Sequence, residues 1–174
     1  MKLTYRQIEP FVKNPDPAAR VIVIYGPDAG LVSERAEIIA KTVVPDLNDP
    51  FQVANLSGEQ ITEDPVRLND EAFAQSLMGG DRLLRIRDAG DGLKPHLDAY
   101  LADPSPHCLV VVEAGELGPR SALRLLAEKA KNAAALPCYV EGERDLGSLI
   151  TDILSQQGLR IERDAQAMLA SLIV

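Results

Sequence analysis

The sequence predicts an α/β protein, a five-stranded parallel sheet with helices on both faces followed by a partial all-helical segment. Three observations carry this expectation. Apolar, largely β-branched runs alternate with segments of helical period over residues 1–141. The connections between them are short, which favours right-handed crossovers between parallel strands. From Glu143 onward only the helical period remains.

Thr4-Tyr5-Arg6-Gln7 has the residues of a capping box, in which the Thr4 hydroxyl and the Gln7 side chain satisfy helix-start amides reciprocally. Ile8, Phe11 and Val12 supply the apolar stripe of a short helix, and Asn14-Pro15-Asp16-Pro17 ends it. A strand follows over about residues 20–25. Residues 31–44 then carry a helical stripe, Leu31, Ala36, Ile39, Ala40 and Val43, before Pro45. Phe51 to Leu56 alternates at period two, as a half-buried strand does, and stops at Ser57-Gly58. Asp64, as an N-cap before Pro65, launches a helix through Leu68, Ala72, Phe73 and Leu77 that Gly79-Gly80 should end.

Arg82 to Ile86 reads as the third strand, and Leu93, Leu97, Tyr100 and Leu101 mark a third helix whose first turn tolerates Pro95. Cys108 to Val112 is the most apolar strand and so the candidate for the sheet centre, because a parallel strand covered on both faces loses its polar alternation. Residues 119–131 form the next predicted helix, with Leu123, Leu126 and Ala130 at helical spacing. The strand Leu136 to Val140 closes the series. The expected domains are therefore residues 1–141 and 142–174. In the second, Leu146, Leu149, Ile150, Ile153 and Leu154 form one stripe, Gly158 ends it, and Asp164 caps a further helix starting near Ala165. The apolar residues Met168, Leu169, Leu172, Ile173 and Val174 are left without a covering element, as expected of a fragment or of a surface that a partner covers.

The chain has 174 residues, 46% hydrophobic and 25% charged, which suits one α/β domain with a small appendage. A formal net charge of -8 argues against independent binding to nucleic acid or an anionic membrane, since both reward a basic surface. Arg82, Arg85 and Arg87 form the one local basic run, and it reads as a solvated strand edge that discourages pairing. Cys108 and Cys138 lie in apolar runs and read as buried thiols, with no metal-ligand spacing. With no signal-peptide pattern or membrane-length apolar stretch, the cytoplasm is the expected compartment.

The chemistry concentrates in Val21-Ile22-Val23-Ile24-Tyr25-Gly26-Pro27-Asp28-Ala29-Gly30-Leu31-Val32-Ser33. A strand feeding a glycine-bounded turn and then a helix is how nucleotide-binding α/β domains open, because glycines let backbone amides approach a phosphate at a helix N-terminus. A working phosphate loop has four residues between its glycines and then Lys-Ser/Thr. Here three residues separate Gly26 from Gly30, and Leu31-Val32 follow. No cation remains for the β- and γ-phosphates, and Asp28 would repel them. Gly26, Pro27, Asp28 and Gly30 thus form a degenerate phosphate loop not expected to bind ATP. Taken alone, an ordinary strand-to-helix turn accounts for them too.

Glu113 falls at the end of the central strand, where a Walker B acid would sit, with Glu116 three residues later. Without the lysine it reads as a solvated acid. His107 falls at the N-terminal end of its strand, away from the edge where open α/β sheets build sites, and His96 lies in a helix with no evident nucleophile. A dinucleotide fold fits poorly, because the glycine spacing is wrong and the second strand ends Asn55-Leu56-Ser57 without an acid. A nucleotide-binding ATPase or kinase-like domain with an atypical phosphate loop stays open as the alternative.

Tyr25-Gly26-Pro27-Asp28, Ser76-Leu77-Met78-Gly79-Gly80-Asp81-Arg82-Leu83-Leu84, the run from Leu109 to Leu117, Arg120-Ser121-Ala122-Leu123-Arg124 and Ala134-Ala135-Leu136-Pro137-Cys138-Tyr139 together resemble the delta subunit of the bacterial DNA polymerase III clamp loader. The resemblance implies an AAA+-type N-terminal domain and the start of a helical lid, without the family's C-terminal collar. It implies a non-catalytic role in DNA replication: binding the sliding clamp (beta subunit) and opening it, while gamma/tau and delta-prime type subunits complete the assembly and neighbouring subunits hydrolyse ATP. Primed DNA would be met only within that assembly, with no cofactor, metal or membrane partner. The clamp-binding element implied by the resemblance is an apolar wedge that maps onto Leu77 and Met78; Gln75 replaces an apolar residue that some relatives carry nearby, and Phe73 is expected to pack inward.

Overall fold

Alternation along the strands decides how the helices are distributed. In β1 (Val21–Tyr25), Val21, Val23 and Tyr25 enter one core and Ile22 and Ile24 the other, so both faces demand cover. Helices α1 (Tyr5–Lys13) and α2 (Ala29–Lys41) cover the Ile22 face through Ile8, Phe11, Val12, Val32, Ala36 and Ile39. The Val23 face is covered by α3 (Gly58–Glu63), α4 (Val66–Phe73), α5 (Lys94–Ala102) and α6 (Ala122–Lys129), through Ile61, Leu68, Leu97 and Leu123. Each such fully buried aliphatic side chain contributes about 1.5 to 3 kcal/mol. The computed structural model describes residues 1–75, 79–139, 150–151, 153–155 and 158–173.

The sheet has five strands in the order β2-β3-β4-β1-β5, where β2 is Val53–Ser57, β3 is Arg82–Ala89, β4 is Cys108–Ala114 and β5 is Ala133–Pro137. All four pairings are parallel, as expected, with Ile22 opposite both Val111 and Ala134. β4 is the central strand and every one of its residues is buried.

Several boundaries differ from the sequence expectation for identifiable reasons. The capping box at Ser57 and Gln60 starts α3, a helix the sequence reading passed over: Gln60 N donates to Ser57 Oγ at 3.1 Å and Ser57 N to Gln60 Oε1 at 2.9 Å. α4 ends at Phe73, where Ala74 is extended (φ -60°, ψ 134°), and does not run to the glycines. Gly79 and Gly80, at φ 76° and 88°, instead provide a left-handed turn ahead of β3. α6 starts at Ala122, not near Pro119, because the Ser121 hydroxyl accepts from Arg124 N. β5 lies three residues earlier than expected. Its alanines are weak strand formers, yet Ala133 and Ala135 fill one core and Ala134 the other.

The chain divides into two compact units, Met1–Cys138 and Tyr139–Val174. In the second, Ile150 is buried and packs with Leu154 and Ile161, and α7 (Arg163–Ile173) carries Asp164 in its first turn, where an acid favours the helix dipole. Asp164 thus lies inside the helix and not at its cap. Leu146 and Leu149 of the expected stripe lie outside the described residues, while Met168, Leu169 and Leu172 are exposed. Among the described residues no helix is long and apolar enough to cross a membrane.

Candidate functional site

The turn from β1 into α2 is held by backbone on two sides. Gly26 N donates to Gly115 O at 3.2 Å, and Cys138 N donates to Tyr25 O at 2.7 Å. A Cβ on Gly26 would stand 1.9 Å from Cys138 O, so this position requires glycine for close backbone packing whether or not a phosphate is bound. Asp28 then caps α2, its Oδ1 accepting from Leu31 N at 3.0 Å. That carboxylate occupies the place at the helix N-terminus where an anionic ligand would bind, and such a cap is worth about 0.5 to 2 kcal/mol. Gly30 leaves room for it, since a Cβ there would lie 3.2 Å from Asp28 Oδ1. The loop is self-liganded.

Glu113, at the carboxyl end of β4, is not the solvated acid the sequence suggests. Its Oε1 accepts from Arg85 Nη2 at 2.6 Å and Arg85 Nε at 3.1 Å, and Arg87 Nε approaches to 3.8 Å. The Arg85 and Glu113 side chains are only 5% and 10% exposed. Nor do the three arginines form a solvated sheet edge: β3 lies inside the sheet, between β2 and β4, and Arg82 and Arg85 are buried. The sequence reading named Arg85 as part of a solvated edge and missed its pairing with Glu113. The signal was an arginine interrupting Leu83-Leu84 and Ile86, matched by a lone acid ending an otherwise apolar strand.

Between these elements lies an open groove of about 450 Å³, lined by Gly26, Pro27 and Ala29 on one side and Arg87, Asp88 and Glu116 on the other. Glu113 is held by Arg85 with Arg87 close by, and Asp28 by the helix, so both carboxylates are engaged; Arg87 is a cation that lines this groove. Among the described residues no three His, Cys, Asp or Glu side chains gather as a metal-holding group. Cys108 and Cys138 are buried, and burial pushes both thiols up, Cys108 to about 12; Arg35 Nη1, donating to Cys138 Sγ at 3.4 Å, opposes the shift there. His107 is exposed just before β4, with Nδ1 3.5 Å from Asp81 Oδ1, and His96 lies on α5.

Leu77 and Met78 lie outside the described residues. Phe73, at the end of α4, does not pack inward: it is half exposed, and its ring meets Tyr100 edge-on with centroids 6.3 Å apart. Beside it runs a groove of about 410 Å³ lined by Phe73, Ala74, Gln75, Gly80, Arg82 and Pro106. The buried Arg82 donates through Nη1 to Phe51 O at 2.9 Å and through Nη2 to Glu71 Oε2 at 3.2 Å.

No protein-family model matches the chain, and no curated protein matches it. Solved structures do. The DNA clamp loader delta protein of Bacillus subtilis superposes with a TM-score of 0.62 at 19% identity, over 95% of this chain and 51% of that one. A DNA polymerase III gamma subunit-related protein of Thermotoga maritima gives 0.52 at 14% identity, over 95% and 56% respectively. The chain spans about half the length of these two structures. At such identities the likeness is one of fold: the chain shares the α/β fold of these two proteins, with its five-stranded parallel sheet.

Proposed function

We propose that this chain is a non-catalytic clamp-loader subunit of DNA replication, of delta type, that binds a ring-shaped sliding clamp and helps to open it. The observation that carries the reading is the self-liganded turn: Asp28 caps the helix that would receive a phosphate, in a fold that working nucleotide motors share. A domain that keeps this architecture while filling its own anion site is suited to transmit force and not to hydrolyse nucleotide. The likeness of fold to a clamp loader delta protein supports the delta assignment.

In this reading Leu77 and Met78 form the apolar wedge, and gamma/tau and delta-prime type subunits are the neighbours. Primed DNA is reached only through the assembly, since a net charge of -8 gives this chain little attraction for it alone. A wedge opens a ring only by binding the open ring more tightly than the closed one. Burial of two apolar side chains supplies about 3 to 6 kcal/mol of contact energy before association costs. Calorimetric titration of the chain with a purified bacterial sliding clamp tests the proposal. Leu77→Ala with Met78→Ala is expected to abolish binding while leaving the melting temperature unchanged; unaltered affinity would refute the wedge.

A further inference from the structure

We infer that the α-amino group of Met1 is a structural cation of the first unit, and therefore a site at which acylation would loosen the fold. Its ammonium donates to three carbonyls at once: Ala127 O at 2.6 Å, Ala130 O at 2.9 Å and Ala133 O at 2.6 Å. An ammonium carries three N–H donors, so this cradle uses all of them. The acceptors belong to successive parts of the chain. Ala127 lies in the last turn of α6, Ala130 is the C-cap of that helix, and Ala133 opens β5.

Each acceptor has a reason to need a donor. α6 stops because Ala130 is extended (φ -65°, ψ 139°), which leaves carbonyls at its end without the amides that a continuing helix would supply. Ala130 N serves Leu126 O at 2.9 Å, and the ammonium serves Ala127 and Ala130 beyond it. A cation there also meets the negative end of the helix dipole. The third bond belongs to the sheet. Ala135 N donates to Met1 O at 2.8 Å and Leu3 N to Ala135 O at 3.3 Å, around a parallel bridge between Lys2 and Ala135, and the bond from Met1 N to Ala133 O is the next rung. Residues 1–3 thus cover the outer edge of β5, a strand whose alanines have little strand preference of their own, and Leu3 is buried in the same core as Ile22.

Blocking the amine separates these roles. An acylated or peptide-linked Met1 keeps one N–H, enough for the rung to Ala133, but loses the charge and the two donors that cap α6. Burial lowers the amine below its usual value of 8.0, and the charge of Glu128 opposes that shift, so the test belongs at about pH 6, on the acid side of the usual value. It compares three forms of the whole chain, each verified by intact mass: Met1 with a free amine, Met1 acetylated on that amine, and Met1 preceded by a Gly-Ser extension. Both blocked forms are expected to melt about 4 to 10 °C lower than the free chain. Amide hydrogen exchange at Ala130 and Ala135 should quicken in them relative to β1, because the last turn of α6 and the edge of β5 open together. Blocked forms as stable as the free chain, or a loss of stability without faster exchange at these two amides, would overturn the assignment, and either result leaves the clamp reading untouched.

Discussion

Arg85 and Glu113 form a buried ion pair between neighbouring strands β3 and β4, with Nη2 and Oε1 2.6 Å apart, at the position where a nucleotide motor would need a free acid. The pair makes Glu113 part of the buried sheet. A buried pair contributes little against a well-packed apolar replacement, but loss of one partner strands the other's charge at a cost of about 3 to 5 kcal/mol. Arg85→Met is therefore expected to destabilise the domain by about that amount, reduced by whatever Arg87 supplies from 3.8 Å. Arg85→Met with Glu113→Leu should recover most of it. Urea unfolding of the three proteins measures this, and additive single effects would mean that the two side chains do not act as a pair.

The turn itself makes a second prediction. Gly26→Ala sets a methyl group against the fixed carbonyl of Cys138, so it should cost about 1 to 3 kcal/mol or more. Asp28→Ala should cost about 0.5 to 2 kcal/mol through loss of the cap, and Asp28→Asn much less, because an amide oxygen accepts from Leu31 N as well. Equal effects of the alanine and asparagine replacements would contradict a capping role.

How far the sequence discloses the fold depends on where each signal resides. β1 and β4 were plain because burial on both faces leaves unbroken apolar runs, and α1 because its capping box and stripe are local. β5 was misplaced because alanine carries no strand preference of its own; what makes Ala133 to Ala135 a strand is pairing with β1. The length of α4 was overestimated because Leu77 keeps the helical period although the helix ends at Phe73. The distorted loop was legible residue by residue, but Asp28's role as a cap, the demand that Cys138 makes on Gly26, and the engagement of Glu113 by an arginine 28 residues away arise only once the strands are assembled.

Acid sensitivity follows from Asp91. Its Oδ1 accepts from Ser121 Oγ at 2.5 Å and from Leu123 N at 3.0 Å, and these hydrogen bonds, the hydroxyl first, hold its carboxyl below the usual carboxylate range. A carboxyl lowered on folding stabilises the native state above its unfolded pKa, and the contribution fades as pH falls through the native value. Ser121→Ala removes the larger cause and the α6 cap together. The stability gap between the parent chain and Asp91→Asn should be constant near neutrality and close below about pH 4. A gap independent of pH in urea titrations would show that the charge of Asp91 contributes nothing.

The closing prediction concerns nucleotide. If the groove beside Pro27 bound ATP with magnesium at about 10 μM, then 1 mM ligand would add about 2.7 kcal/mol to stability and raise the melting temperature by several degrees. With Asp28 seated on the N-terminus of α2 and Glu113 committed to Arg85 and Arg87, we expect no such rise. Removing the cap does not supply the missing lysine, so Asp28→Gly should not create binding either, although it vacates the anion site. A saturable rise with the parent chain that magnesium chelation abolishes would show that the groove is a working nucleotide site, and the non-catalytic reading would have to give way to that of an ATPase.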